Sequence, residues 1–528
     1  MTQVRASQYE VANQIRTGQY VPDILDCLAQ LSNDEVPTPP KLARAVLDEL
    51  PGNVWGTPDY VWLDPFCKSG VFLREAAGRL LEGLSDQFPD FDARRDHIYR
   101  NMLWGTSITE MTGLISRRSL YYSRDASGSD SVVQFDDGAG NLPFVHTRHT
   151  YPKKIDGTVT GGCLKCGAAF DLERGEAREN YAYSFIHDAY PTEEMRDMKF
   201  DVIVGNPPYQ IGVDGSNRDR PLYQLFVDQA IALRPRYVAM ITPSRWFAGG
   251  LGLAEFRAAR LADRHMRVLV DYPRLYDAFP GVKIRGGVSY FLWNRDEPGT
   301  CRVQTMWNGQ PLGEPVERHL DEWDVLIRRN EAVSILRKVQ SKNEATLDAK
   351  VSSRLPFGFQ TNVHGKDTSA GLPDAVRFYG SKKQTWMDRN AITVNKSEVG
   401  LCKVLMHRAY GEDGEPPYRV TAAPTLVGKD TACSGTYLVV GAYEKMEQAG
   451  NLDAFLRTRF VRFLIQLRMN TQDIKRDTFA FVPDLPMASR WTDADLYQRY
   501  GLDASEVEFI KSQVREMAVN PASDAGPQ

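Results

Sequence analysis

The stretch YVWLDPFCKSGVFLREAAGRLLEGL, residues 60–84, decides the fold. Its first part is an apolar β-run from Tyr60 that stops at Asp64-Pro65. Phe66-Cys67-Lys68-Ser69-Gly70 then reads as a tight turn, and the residues after it repeat apolar side chains at helical spacing. Strand, turn and helix in that order make the first unit of a doubly wound nucleotide-type fold. Ligands of such folds sit at the carboxyl end of the strand. The N–H groups of the turn open a helix and can wrap the polar end of a ligand. An ordinary α/β connection shows the same pattern, so by itself this stretch speaks for fold rather than chemistry.

Alternation continues outward. Asn101-MLWGTS reads as a second strand and Ile108 to Tyr121 as a second helix. After a break, Ala182-YSFIHDA and Phe200-DVIVGNPPY resume it. A helix (Leu222 to Leu233), a strand (Tyr237-VAMITP), a helix (Ala254 to Ala262) and a strand (Met266-RVLVDYP) follow. Gly286-GVSYFLWNR and Arg302-VQTMWN read as a late antiparallel hairpin. The expectation is a Rossmann-like α/β sheet of about seven strands. Upstream, residues 8–36 are mostly helical in pattern, and Thr38 stands where an N-cap of the helix from Lys41 is expected. The chain then divides into an N-terminal helical segment (1–55), an α/β domain (56–310) with an insertion at 122–182, a helical connector (311–350) and an α+β C-terminal domain (351–528).

The chemistry lies about 140 residues beyond Asp64, where an apolar strand ends in Asn206-Pro207-Pro208-Tyr209. An exocyclic amine conjugated to an aromatic ring is a poor nucleophile because its lone pair is delocalised. The Asn206 side-chain oxygen and the Pro207 carbonyl can each accept one of its N–H groups. Acceptors off the ring plane pull the nitrogen towards tetrahedral geometry and free the lone pair. Two prolines fix those acceptors in advance, and Tyr209 offers a face for a planar base or a nearby cation. The blander alternative is a strand stopped by a Pro-Pro turn. A methyl donor such as S-adenosylmethionine has a zwitterionic amino-acid end. Asp64 suits its ammonium and the turn N–H groups suit its carboxylate. The C5 route to cytosine needs a nucleophilic cysteine, usually in a Pro-Cys pair, and the chain has no such pair.

Composition excludes little else. With 64 Lys and Arg against 68 Asp and Glu, the net charge is −4, so no overall basic excess marks a nucleic-acid binder; a local basic groove suffices. Seven cysteines, mostly scattered, argue against a disulfide framework and for a cytoplasmic setting. No apolar run is long enough to span a membrane. The insertion carries His146-x2-His149 and Cys163-x2-Cys166, four N and S ligands of the kind that hold one structural zinc; unligated side chains at two turns are the alternative. Near the C-terminus Arg457, Arg459, Arg462, Lys475 and Arg476 are mixed with aromatic residues and read either as a phosphate-tracking surface or as a solvated helix face.

The order TPP (38–40), DPFCKSG (64–70), His187-Asp188 and GNPPY (205–209) resembles the gamma-class adenine-N6 DNA methyltransferases, in particular the Type II or Type IIG-like branch of restriction–modification systems with a long C-terminal recognition domain. Asp23-ILDCLAQLSNDEVPTPPKLA and Trp491-TDADLYQRYGLDASEVEFI share that look. The resemblance implies S-adenosylmethionine as donor, a flipped adenine in double-stranded DNA as acceptor, and a C-terminal target-recognition domain. A separate restriction endonuclease is the expected partner. By the same resemblance Thr38 and Pro39 line the methionine end of the cofactor. Asp64, Pro65, Cys67, Ser69 and Gly70 form its loop, and Asp188 accepts from its adenine amino group. Asn206, Pro207, Pro208 and Tyr209 hold the target base. Two positions depart from the pattern. Lys68 replaces the first loop glycine, and the second strand ends Gly105-Thr106-Ser107 without an acidic ribose ligand, leaving Glu110 as the candidate. The alternatives are a protein-glutamine or RNA methyltransferase, an enzyme that also cuts DNA, and an inactive DNA-binding scaffold.

Overall fold

A computed structural model describes residues 37–107, 109–145, 147–167, 170, 184–187, 195, 197–211, 220–250, 252–411, 414–469 and 472–518. The helical pattern over 8–36, His146, Asp188 and the tail from Asn520 lie outside the described residues. The chain forms two compact units, one up to Leu326 and one from Ile327.

The first unit is built on strands β1 (Trp62–Cys67), β2 (Leu103–Ser107) and β3 (Val202–Gly205), a two-residue pair β4 (Gln210–Ile211) and β5 (Arg220–Pro221), and then β6 (Tyr237–Pro243), β7 (Met266–Tyr272), β8 (Val288–Asn294), β9 (Cys301–Trp307) and β10 (Gln310–Arg318). Its helices are α1 (Pro40–Asp48), α2 (Val71–Gly83), α3 (Phe91–His97), α4 (Glu110–Tyr121), α5 (Tyr223–Ala232) and α6 (Ala254–Ala262). Among the described residues the main sheet has eight strands rather than seven, in the order β10-β9-β7-β8-β6-β3-β1-β2. β2, β1, β3 and β6 are parallel neighbours.

The late hairpin is a correction. β8 does not pair with β9; it inserts antiparallel between β6 and β7. β9 runs parallel to β7, and its antiparallel partner is β10, which lies in the expected helical connector. The physical reason is burial: every residue of β8 is buried, so the strand needs a neighbour on each side.

Side chains alternate across this sheet. Trp62 and Cys67 of β1 point into a core with Leu42, Val46 and Leu47 of α1 and Phe72, Leu73 and Leu80 of α2. Leu63 and Phe66 point into the opposite core with Tyr223, Phe226 and Val227 of α5. No described helix is long and apolar enough to cross a membrane.

Among the described residues the second unit holds two three-stranded sheets. One comprises β11 (Ala375–Tyr379), β12 (Gln384–Asp388) and a later strand at Thr431–Cys433; the other is centred on Cys402–His407. The basic aromatic segment is two helices, Met446–Arg457 and Arg459–Leu467, separated by Thr458, whose side chain caps the second by accepting from the Val461 N–H.

Candidate active site at the end of the first strand

β1 runs further than the sequence suggests. It passes through Pro65 and ends at Cys67, with its register against β2 shifting between Asp64 and Cys67. A proline lacks the N–H that a ladder needs, and the irregularity absorbs it. The turn therefore shrinks to Lys68-Ser69, and Gly70 (φ 71°) starts α2 in a left-handed conformation. A Cβ at Gly70 would also come within 2.9 Å of the Ser116 carbonyl oxygen of α4.

β3 ends beside this turn. Gly205 has φ 149°, and a Cβ there would lie 2.3 Å from the Phe66 ring and 2.8 Å from Asp64 Oδ1. Only glycine lets the two strand ends approach this closely. Asn206, Pro207 and Pro208 are buried and Tyr209 is half-buried with its hydroxyl inside. Thr38, Asp64, Phe66, Lys68, Ser69, Gly70 and Asn206 line one cavity of about 10 Å³, room for about one water molecule. The residues expected in the cofactor loop and the expected acceptor Asn206, about 140 positions apart, thus share one small space.

The electrostatics of that space are unusual. Asp64 is 3% exposed, and burial raises its carboxyl to about 7 despite the Phe66 N–H, the Cys67 thiol and the nearby Lys68. Phe66 N–H donates to Asp64 Oδ1 at 3.2 Å. The Lys68 ammonium lies 5.9 Å from the centre of the Tyr209 ring, a cation–π contact. Burial holds the Tyr209 phenol well above its ordinary range, so it stays protonated. The Ser69 hydroxyl is buried with no hydrogen-bond partner among the described residues, and so is that of Ser107 at the end of β2.

Other expected contacts fall differently. Thr38 is buried but does not cap α1; Pro39 occupies the cap position and no side chain donates or accepts there. Cys67 faces the core with Trp62 and Leu73, and its thiol donates to the Asp64 carbonyl, so its side chain braces the loop from behind rather than facing the cavity. The Pro65 carbonyl accepts from the Thr106 hydroxyl at 2.7 Å. Glu110 is exposed in the first turn of α4.

The structure brings together His149, Cys163 and Cys166 of the insertion and His187 beyond it, with all four ligand atoms within 4.8 Å of one another. Residues Ser184–His187 form a 3-10 turn, not the strand expected there. Sequence spacing does not single out His187 as a ligand, because the local His-x2-His pair points to His146 instead. Burial pushes the Cys163 thiol up, but backbone hydrogen bonds from Cys166, Lys165 and Thr150 bring it below its ordinary value.

The basic cluster of the second unit is corrected in part. Arg462 is fully buried and donates to the carbonyls of Arg457, Arg419 and Arg515. Arg457 pairs with Asp453 at 2.8 Å and donates to the Pro424 carbonyl. Neither can reach a phosphate. Arg459 pairs with Glu516 at 3.0 Å. Lys475 and Arg476 are exposed, although Arg476 donates to the Val351 carbonyl. The structure presents a different basic surface, absent from the sequence expectations. On β11 and β12 the Arg377 guanidinium lies over the Trp386 ring at 5.1 Å, with Lys366, Lys382 and Lys383 exposed around them. Its signal in the sequence is a Lys-Lys pair close to a tryptophan.

In this mixed sheet β1 ends in the Lys68-Ser69 turn, and the neighbouring β3 ends in Asn206-Pro207-Pro208-Tyr209. Comparison with known proteins gives the class. The family described as Eco57I restriction-modification methylase matches residues 101–279. An uncharacterized adenine-specific methylase of Mycoplasma pneumoniae is 32% identical over 342 residues, covering 60% of this chain and 80% of that protein. The chain belongs to this family of adenine-specific restriction–modification methylases. Among solved structures, the Type IIL restriction-modification enzyme MmeI in complex with DNA is similar at TM-score 0.45 and 12% identity, covering 84% of this chain and 63% of that one. A nuclease-deletion mutant of the Type ISP enzyme LlaGI with a DNA substrate mimic is similar at TM-score 0.45 and 10% identity, covering 87% and 45%. The chain spans less than two thirds of the length of either solved structure.

Proposed function

We propose that this methylase transfers a methyl group from S-adenosylmethionine to the N6 amine of an adenine flipped out of double-stranded DNA, as the modification component of a restriction–modification system with a separate endonuclease. The observation that carries this reading is the shared cavity of Asp64, Ser69 and Asn206. The residues present suit the donor. Ser69 offers a buried hydroxyl with no partner among the described residues, α2 opens with its N–H groups towards the turn, and Asp64 is a buried carboxyl awaiting a cation.

Asp64 would hold the ammonium of the amino-acid end, and Ser69 with the α2 N-terminus would hold its carboxylate. Thr38 and Pro39 would lie along the methionine end, Asp188 would accept from the adenine amino group, and Glu110 is the candidate for the ribose. The Ser107 hydroxyl is a second candidate there. When bound, the donor would supply an electrophilic methyl carbon: its S–C bond would break as the N–C bond forms, the sulfur leaving as a neutral thioether and the amine's proton passing to solvent. Asn206 and Pro207 orient that amine and free its lone pair. Pro208 keeps the acceptors rigid, and a neutral Tyr209 stacks on the base. No protein nucleophile takes part.

DNA contact in the second unit falls to exposed groups. Lys366, Arg377, Lys382 and Lys383 around Trp386 suit phosphates better than the buried arginines, with Lys475 and Arg476 as further candidates. Each alanine substitution that removes a phosphate-binding side chain should lower the salt slope of binding by about one. One structural zinc on the insertion completes the reading.

The test is methylation-sensitive long-read sequencing of DNA from cells expressing the protein, beside Asn206→Ala. One modified adenine motif, absent in the variant, is expected. The variant's turnover should fall by about 1,000-fold while its cofactor affinity stays unchanged. Joint loss of turnover and cofactor binding would move Asn206 into the cofactor site or the folding core. No modified base from either protein would move the acceptor to RNA or protein.

A further inference from the structure

The four side chains His149, Cys163, Cys166 and His187 come from two segments of the chain, one on each side of residues 171–183. Their ligand atoms already lie within 4.8 Å of one another, and Cys166 Sγ is 3.4 Å from His149 Nδ1. Tetrahedral zinc bound by sulfur and imidazole nitrogen needs ligand–ligand separations of about 3.3–3.8 Å. The set is therefore assembled to within about an ångström of that geometry. Both cysteines are buried and neither is in a disulfide. Two thiols and two imidazoles favour zinc over magnesium or calcium, which take oxygen ligands.

The place of this cluster in the fold matters more than its composition. His187 ends the turn that carries Phe185, and Phe185 packs edge-on against Phe66 at 6.4 Å and stacks on Phe226 at 6.4 Å. Phe66 is the ring against which Gly205 closes, between Asp64 and Ser69. On the other side, Gly167 follows the Cys163–Cys166 knuckle and backs onto Arg220, where a Cβ would lie 2.5 Å from Nη1. Arg220 belongs to β5, which pairs with β4 directly after Tyr209, and the Leu222 N–H donates to the Tyr209 carbonyl at 3.0 Å.

We propose that His149, Cys163, Cys166 and His187 hold one zinc ion that braces the active site, clamping the Phe185 turn behind the cofactor loop and the knuckle beside the strand pair that follows the amine acceptors. Four protein ligands leave no position for an activated water, so the ion is structural. The brace deepens the methyl-transfer reading, but binding of the ion does not depend on it.

The first measurement is metal content of the full-length protein purified without chelators, where about one zinc per chain is expected. Cobalt(II) replacing it should give the visible bands of a tetrahedral thiolate site. His187→Ala should weaken cobalt binding by more than the roughly 10- to 100-fold that loss of an outer partner costs, while His146→Ala leaves it intact. Chelation of the wild-type protein avoids the problem of variants that do not fold. Hydrogen exchange should then rise at 184–187 and 220–222 while β1, β3 and β6 stay protected. Protein that takes up neither zinc nor cobalt overturns the proposal, and so does retention by His187→Ala with loss from His146→Ala. Bound zinc whose removal leaves exchange at 184–187 and 220–222 unchanged overturns the brace. A zinc-loaded protein that methylates no DNA would instead count against the methyl-transfer reading and leave the metal site standing.

Discussion

Buried charge occurs in both units and is handled in opposite ways. At the end of β1, Asp64 accepts from one backbone N–H and one thiol hydrogen bond, which do not offset its burial, and the Ser69 hydroxyl beside it has no partner among the described residues. In the second unit, Arg462 donates to three carbonyls, and the fully buried Lys403 donates to the Val399 and Thr431 carbonyls and to Thr431 Oγ1. The first arrangement calls for a ligand, and the second is complete within the chain. Burial alone does not separate a site from a scaffold; the state of the hydrogen-bonding groups does.

The sharpest way to break this contrast is Arg462→Ala. It leaves one buried and two part-buried carbonyls without their donor and should cost about 3–5 kcal/mol in denaturant unfolding of the full chain, with cofactor affinity unchanged. Unaltered stability with weakened DNA binding would instead make Arg462 a phosphate contact. Asp64→Asn removes the carboxylate proposed to hold the cofactor ammonium, and calorimetry should show affinity weakened by about 30-fold, about 2 kcal/mol.

The pH dependence of that affinity follows from the same group. Asp64 has its folded value raised from 3.8 to about 7. Only its ionised form binds a cation, so affinity is full above pH 8 and should be about tenfold weaker at pH 6. In the ligand-free protein the sign for stability is the reverse. The folded state keeps a proton that the unfolded chain releases between about pH 4 and 7, so Asp64's contribution to stability falls as pH rises through that window. Thermal stabilisation by the cofactor should therefore be greater at pH 8 than at pH 6, and Asp64→Asn should flatten the difference.

The smallest effect expected is at Lys403. Burial lowers its ammonium from 10.5 to about 8. Its unfavourable contribution is full below pH 8 and fades as pH rises towards 10.5. Lys403→Met should thus stabilise the second unit by about 1 kcal/mol at neutral pH. A loss of stability would show that its three hydrogen bonds outweigh the burial.

How much was legible in the sequence varied with the range of the physics involved. β1, α2 and the strand before Asn206 follow from local periodicity and from Pro and Gly, and the structure places them within a few residues. The placing of β8 between β6 and β7 depends on which neighbours cover a doubly buried strand, which no local pattern encodes. Arg457 and Arg462 carry the same spacing whether they face solvent or carbonyls, so a charge run could not distinguish the two. His187 lies 21 residues from Cys166 in sequence and joins it only through folding. Phe66 and Gly205 are individually ordinary; their closeness emerges only when two parallel strands end side by side.

Lys68 remains. Its ammonium lies 5.9 Å from the centre of the Tyr209 ring, near Asp64, whose carboxyl is raised to about 7. One aromatic face holds one cation. The proposed function gives that face to the target base, so the Lys68 ammonium would have to leave the ring before the base could stack there. Seating of the base would then move a positive charge away from the ring.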